Sequence, residues 1–383
     1  MTVYGNKIKC YITASGLLST IIILICCTNA WAATRTKESA ANNSQTFVTY
    51  KYIDPMTNLQ VFSMLVPKGW KVEGGVTWSA DPALPAQSSF RFYNPNGSEE
   101  VNFFPTRDYF WTDNRMFLTT NPAGTYRFGT LVAKPIGLHE AFIKTIIPGA
   151  KRSMSGMTIV KEEKVPELAQ LAMGVATQGV NASAEAGKIR ITYGEGGRQM
   201  EEEFFSAVSQ FVINMPATGT GGGYFINYWY MDYTFSFRDQ KGRLDTNTKL
   251  YQTMIYSVKF NQKWVAKMVN YKEALAQKYI SNIKAIGKIG QMISEAGSQM
   301  REDQLQAWEA RQEVNDKIAR NFSDQILGVE RYNDTRAGTE VELPAGYDNA
   351  WANDLGEYIV SDSPGYNPNL DSSQHWEQLE PAR

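Results

Sequence analysis

The chain has 383 residues, with 38 Lys and Arg against 39 Asp and Glu, a formal charge of −1, and 43% hydrophobic and 12% aromatic residues. That is the composition of an ordinary globular protein with a sizeable core, long enough for two domains or for one with appendages. Nothing in the evenly mixed charge points to a nucleic-acid or anionic-membrane partner, which would call for clustered Lys and Arg, and no nucleic-acid partner is expected.

Lys7 and Lys9 precede an apolar run from Gly16 to Cys27, and Ala30-Trp31-Ala32 follows it. This layout predicts a secretory signal over 1–32, cleaved after Ala32, and hence an exported, periplasmic or extracellular protein. An uncleaved anchor is the alternative, but the run falls short of the roughly 20 residues that span a bilayer, and no transmembrane segment is expected once it is removed. A lipid-anchored form at Cys27 is disfavoured because Cys26 stands where a small residue belongs. Cys10, Cys26 and Cys27 all lie in the leader, so the exported chain has no disulfide, cysteine nucleophile or thiolate metal site. Losing Lys7 and Lys9 takes the charge from −1 to −3.

Residues 33–45 are small and polar, a flexible lead-in. Phe47, Thr49 and Lys51 alternate with Val48, Tyr50 and Tyr52 in a first strand. Asp54 to Asn58 turns the chain, and Leu59 to Val66 returns as a second strand, closed by Pro67-Lys68-Gly69-Trp70. Short strands follow at Val72 to Trp78, Ser88 to Tyr93 and Glu100 to Phe104. Asp113 to Ile136 has no clear period and reads as a long connection. Helical spacing returns from Gly137 to Ile147. Met157 to Val165 is a strand, Pro166 to Met173 a short helix, and Lys188 to Tyr193 pairs with Arg198 to Ile213 across a glycine turn.

The run Gly223 to Arg238 alternates throughout, with Phe225, Trp229, Met231, Tyr233, Phe235 and Phe237 on one face. Tyr224, Tyr228 and Tyr230, with Asp232 and Arg238, take the other and form the best candidate ligand surface. Leu244 to Val258 reads as a helix over the sheet. The expected class is α+β, an antiparallel sheet covered by helices, over residues 46–263.

The Val66-Pro67-Lys68-Gly69-Trp70 ending of the first hairpin, the Gly137 to Lys151 helix with Pro148, the Tyr193 to Glu203 hairpin, and Ile255-Tyr256-Ser257-Val258-Lys259-Phe260 ahead of Trp264 carry a resemblance. Together they resemble the PsbP-like fold, over about Thr46 to Trp264. The resemblance implies a sandwich and a binding or accessory role, and transfers no functional residue.

From 264 to 323 apolar residues recur every three or four positions, from Trp264, Met268 and Tyr271 to Ile318 and Phe322. One helix of that length would run about 88 Å at 1.5 Å per residue. The expectation is a helical arm, a hairpin broken near Gly287, Gly290 and Gly297 or a coiled coil, serving self-association or a protein partner. Residues 324–383 return to strand and turn chemistry and read as a C-terminal module, with Trp351 set against Tyr358. It is similar to a module of uncharacterised bacterial secreted proteins, whose recurring positions here are Trp351, Asn353, Gly356, Glu357, Tyr358, Asn367 and Asn369. A cap over the helices competes with a ligand or peptide surface made by Trp351, Asn353, Glu357 and Tyr358.

His139 and His375 are the only imidazoles, with no HExxH spacing and no Gly-x-Ser-x-Gly elbow, so neither a zinc site nor a serine hydrolase is expected. No cofactor is expected. Gly219 to Gly223 lacks the lysine and helix of a phosphate loop. Glu201, Glu202 and Glu203 read as a solvated strand edge. The favoured function is an exported, non-catalytic binding or assembly protein. The alternatives are an envelope hydrolase acting on carbohydrate through carboxylates from different loops, and a small-ligand carrier.

Overall fold

Period-two runs become strands through most of the described residues, which in this computed structural model are 44–79, 84–127, 130–173, 180–217, 222–279, 329–344, 347–363, 365–370 and 372–382. The expected leader, most of the lead-in, the run Gly219 to Gly221 and the expected arm beyond Tyr279 lie outside them.

In chain order the strands are β1 Ser44–Asp54, β2 Leu59–Pro67, β3 Lys71–Trp78, β4 Ala86–Tyr93, β5 Glu100–Phe103 and β6 Arg107–Thr112. The expected long connection holds the helix Arg115–Thr120, β7 Tyr126–Arg127 and β8 Thr130–Val132. Leu138–Ala141 continues through a π-helical turn, Phe142–Ile146, into Ile147–Gly149. Next come β9 Ser155–Lys164, the helix Pro166–Met173, β10 Asn181–Glu195, β11 Arg198–Met215 and β12 Tyr224–Gln240. The helix Thr248–Tyr256, β13 Lys259–Phe260 and the helix Gln262–Tyr279 follow. The tail supplies β14 Val329–Asp334, β15 Thr339–Pro344, β16 Asn349–Asn353, β17 Glu357–Ser361, β18 Trp376–Gln378 and β19 Glu380–Pro381.

These strands form three sheets. The largest has ten strands, with the path β3-β4-β5-β12-β11-β10-β9 and β6 to β8 alongside. The second runs β13-β2-β1-β17-β16-β18, and the third β15-β14-β19. Of the described residues 53% lie in strands and 19% in helices, so the described part of the chain is predominantly β. The expected α+β class, a PsbP-like sheet covered by helices and followed by a long helical arm, is therefore corrected. The physical reason lies in the tail. β17 pairs antiparallel with β1 from Ser44↔Ser361 to Val48↔Glu357, so β16, β17 and β18 of the tail extend the sheet of the first hairpin. That second sheet, joined by two helices, covers one side of the ten-stranded sheet.

The main core lies between them. Val61, Met64 and Val66 of β2 meet Phe90, Phe92, Val101, Phe205, Phe235 and Phe237 of the large sheet. Tyr251, Met254 and Ile255 of one helix and Trp264, Val265 and Met268 of the next complete it. Each large apolar side chain so buried contributes roughly 1.5 to 3 kcal/mol before entropy. The start of the expected arm is part of this core: Trp264, Met268, Tyr271 and Leu275 share one helical face and are at most 1% exposed. The stripe that was expected to need an outside partner is met here by the chain's own sheet.

β12 is the axis of the large sheet, but it does not keep one parity. It pairs with β11 along its length, with a register break at Phe205 and Ala207, opposite Phe235 and Asp232. On its other side β5 covers Phe235 to Arg238 and β6 covers Ile226 to Met231. In the gap between them sits Tyr233, at φ 50. A bulge of this kind moves every later side chain to the other face. Trp229 and Met231 therefore pack with Ile191, Tyr193 and Phe204 under the Leu138–Ala141 turn, whereas Phe235 and Phe237 point into the main core. The six residues expected on one face are split between two.

Candidate functional site

The same bulge divides the candidate ligand surface. Arg238 lies opposite Glu202, on the face away from the main core. Tyr224, Tyr228, Tyr230 and Asp232 stay on the other side.

Around Arg238 a polar ladder crosses the sheet. Tyr93, Glu100, Arg238 and Glu202 are successive cross-strand neighbours on β4, β5, β12 and β11. Glu202 is 0% and Glu100 1% exposed. At Lys151 the chain turns with φ 52, and Arg152 then reaches over both carboxylates. Its Nη2 donates to Glu100 Oε1. Its Nε lies 3.0 Å from Glu202 Oε2, close enough to pair but off-axis for a hydrogen bond. Arg91 Nη2 and Arg238 Nη1 donate to Glu100 Oε2 at 2.8 and 3.3 Å. Tyr193 and Ser236 hydroxyls each donate to Glu202 at 2.7 Å, and Asn102 Nδ2 donates to Glu100 at 2.8 Å.

Burial opposes the ionised form of both acids, and the outcome differs between them. At Glu100 burial is outweighed by Arg91 and Arg152, which hold the carboxyl down at about 2. At Glu202 burial is complete and wins over Arg152, Ser236 and Tyr193, so its pKa is raised. Arg152 itself, although buried, is held protonated by Glu202 and Glu100. The two carboxylates that the sheet brings together are thus bridged by one guanidinium, with hydroxyl and amide donors on what remains. That arrangement holds strands in register; neither oxygen pair is presented to a substrate.

On the opposite face of β11, Glu203 receives Arg190 Nε at 3.1 Å, and Arg190 also pairs with Asp245 at 2.8 Å. Glu201 Oε2 accepts the Gly242 N–H at 3.0 Å. Glu201, Glu202 and Glu203 are all buried, at 8%, 0% and 5% exposure. The expected solvated edge is wrong, because β11 lies inside the sheet between β10 and β12.

The other half of the candidate surface is aromatic. Tyr228 lies opposite Phe211 on β11 and Phe110 on β6, a row of rings across three strands. Phe110 meets Tyr228 at 5.5 Å and Phe117 at 5.1 Å between ring centroids, and Phe211 meets Tyr230 at 5.8 Å. Tyr224, Ile226, Tyr228, Phe110 and Phe117 are half-buried, and Tyr230 and Phe211 are buried. Asp232, at the bulge end of this face, is 1% exposed. Its Oδ1 accepts from Thr106 Oγ1 at 2.9 Å and from the Tyr233 N–H at 2.8 Å, while Oδ2 has no hydrogen-bond partner. With no cation against it, burial pushes its carboxyl up to about 7.

The tail residues lie in the second sheet. Asn353 Oδ1 accepts the N–H groups of Leu355 and Glu357, each at 3.0 Å, and its Nδ2 donates to Glu357 Oε2 at 2.8 Å. Glu357 pairs with Lys68 at 2.9 Å, and Tyr358 donates to Asp334 Oδ2 at 2.9 Å. Trp351 stands opposite Ile359 and Gln378, not against Tyr358, which faces Ala352. The group closes a turn and docks it on the β2–β3 connection. His139 pairs with Glu162 at 2.7 Å at the surface. Among the described residues, no three His, Cys, Asp or Glu side chains are arranged to hold a metal ion.

No family model matches the chain, and no curated protein does. Among solved structures, LpqN, involved in cell envelope biogenesis of Mycobacterium tuberculosis, aligns over 57% of this chain and 92% of its own, at 13% identity and a TM-score of 0.20. A likeness of that degree carries no argument about fold or function, and the PsbP-like resemblance gains no support from it. Among the described residues no helix is long and apolar enough to cross a membrane.

Sequence reasoning missed Arg152, Glu100, Tyr193, Asn102 and Ser236. The available signal was Glu202 itself, an acid between Met200 and Phe204 at the apolar positions of a strand, which has to find a cation once buried.

Proposed function

We propose that the protein is exported by its leader and acts as a non-catalytic binding or assembly protein, engaging a protein partner through the aromatic face of β6, β11 and β12. The observation that carries this reading is the row Phe110, Tyr228 and Phe211, continued by Tyr224, Ile226 and Phe117 in half-buried positions. Aromatic rings held rigidly on a sheet give large contact area at low entropic cost, and such residues are enriched at the centres of protein interfaces. Next to them Met116 is 83% exposed, which extends the apolar surface beyond the strands. The carboxylates argue the same way. Glu100 and Glu202 are neutralised inside the sheet, and Asp232, whose raised pKa suits acid–base work, is sealed from solvent.

A photoreactive amino acid at position 228, expressed in the native host, tests the reading. A discrete protein adduct is expected, and it should vanish when Phe110→Glu is added with the circular dichroism unchanged. No adduct at 228, or one that survives the charge on Phe110, would remove the basis for this face as a docking surface.

A further inference from the structure

The ten-stranded sheet ends on β9, which pairs with β10 and with no other described strand. Its first eight residues are all exposed, with Met157 at 39%, Ile159 at 46% and Val160 at 55%. Neighbours on a strand point to opposite faces, so unbroken exposure means that no described residue covers either face of the strand. A strand edge that carries apolar side chains and unpaired backbone groups is a template for another strand.

We infer that β9 is a self-association edge, pairing antiparallel with β9 of a second copy of this chain about a two-fold axis at Thr158. The inference stands apart from the aromatic face, which lies on other strands. A two-fold axis makes one residue its own opposite; charge rules out the centres from Lys161 onward, and the irregular ladder between Thr158 and Ser155 rules out Met157. Centred on Thr158, Met157 meets Ile159, Gly156 meets Val160 and Lys161 meets Ser155, so apolar groups cover one another and no like charges face. Centring on Ile159 puts Met157 on Lys161, and centring on Val160 puts Ile159 on Lys161. Centring on Lys161, Glu162 or Glu163 sets like charge directly on like charge. The charged half of the strand needs nothing from a second copy: Lys161 pairs with Glu163 at 2.8 Å and Glu162 with His139 at 2.7 Å.

The same strand limits how far the pairing runs. The ladder with β10 skips Val160, a bulge, and Gly156 sits at φ 59. The ladder breaks again between Thr158 and Ser155, so regular pairing in this stretch is kept at Thr158 and Ile159 alone; one short register is permitted and open-ended stacking is blocked. A small interface of this kind gives a reversible, concentration-dependent dimer.

The test uses the full chain with Cys10, Cys26 and Cys27 changed to Ser, so that one added thiol is the only one. Thr158→Cys is expected to form an intermolecular disulfide at least tenfold faster under mild oxidation than Thr335→Cys, an exposed position elsewhere. Light scattering of the unmodified chain should show mass rising from one copy towards two with concentration. Ile159→Lys, at an exposed position, should hold the mass at one copy while leaving the unfolding midpoint in place. A single-copy mass up to the solubility limit, equal disulfide rates at 158 and 335, or a dimer indifferent to Ile159→Lys would each overturn the inference.

Discussion

Trp264 and Asp54 are joined by a hydrogen bond from indole Nε1 to carboxylate Oδ2, 3.0 Å long, across 210 positions of chain. The same oxygen accepts Trp78 Nε1 at 3.1 Å and Thr57 Oγ1 at 2.7 Å, and Oδ1 accepts the Met56 N–H at 3.0 Å. One carboxylate at the first hairpin turn thus ties together two sheets and the Gln262–Tyr279 helix. Asp54→Ala leaves two indoles and a hydroxyl without their acceptor, at about 1 to 3 kcal/mol for each group that stays buried and unpaired. The expected result is a fall in urea midpoint with reduced protection of Trp78 and Trp264 from fluorescence quenching. Asp54→Asn, which keeps one acceptor oxygen, should lose less than half as much.

Arg152 is the keystone of the polar ladder, because it is the cation shared by Glu100 and Glu202. Removing one partner of a buried ion pair typically costs about 3 to 5 kcal/mol, whereas replacing the set by apolar groups of similar volume is often neutral. Arg152→Met alone is therefore expected to destabilise strongly. Arg152→Met combined with Glu202→Gln should recover part of the loss, and denaturant titration of the unmodified chain, both single variants and the double variant checks this. Additive losses would show that Arg152 and Glu202 are not coupled.

Two buried acids pull the pH dependence in opposite directions. Asp232 is raised by burial from 3.8 to about 7, so the folded chain keeps a proton that the unfolded chain gives up. Its contribution is complete below pH 3.8 and is lost as the pH rises towards 7, at no more than about 1.4 kcal/mol per pH unit. Glu100 is the reverse. Although burial opposes it, Arg91 and Arg152 lower it from 4.5 to about 2, so its contribution is present above 4.5 and lost as the pH falls towards 2. Unfolding free energy measured against pH should drop on both sides of the interval between the two unfolded-state values. Asp232→Asn should flatten the limb towards neutrality and Glu100→Gln the acid limb.

Gly74 sits at φ 105, and a Cβ there would come within 2.0 Å of the Ser89 carbonyl oxygen. Gly74→Ala is expected to push β3 off β4, at about 1 to 3 kcal/mol, by overpacking against backbone that cannot swing away. Trp78, on the same strand, would report the shift by its emission. Val76→Ala at a half-buried position of β3 should leave that emission in place.

Local pattern located the elements. Alternation at Phe47 to Tyr52, Leu59 to Val66 and Tyr224 to Arg238, and the glycine turn between β10 and β11, lie where the sequence put them, because period and turn chemistry are properties of neighbouring residues. Partnership between distant residues was not legible. Nothing near Ser361 says that it will lie beside Ser44, and nothing in the stripe at Trp264, Met268 and Tyr271 says whether a second helix or the chain's own sheet will cover it.

The aromatic strand states both limits most plainly. Its residues fixed that β12 would be a strand with two differing faces, since alternate side chains of an extended backbone have no other arrangement. Which residues share a face was decided at Tyr233, where the partner changes from β6 to β5 and the backbone takes an extra residue. That choice belongs to three strands at once, so no single stretch of sequence carried it.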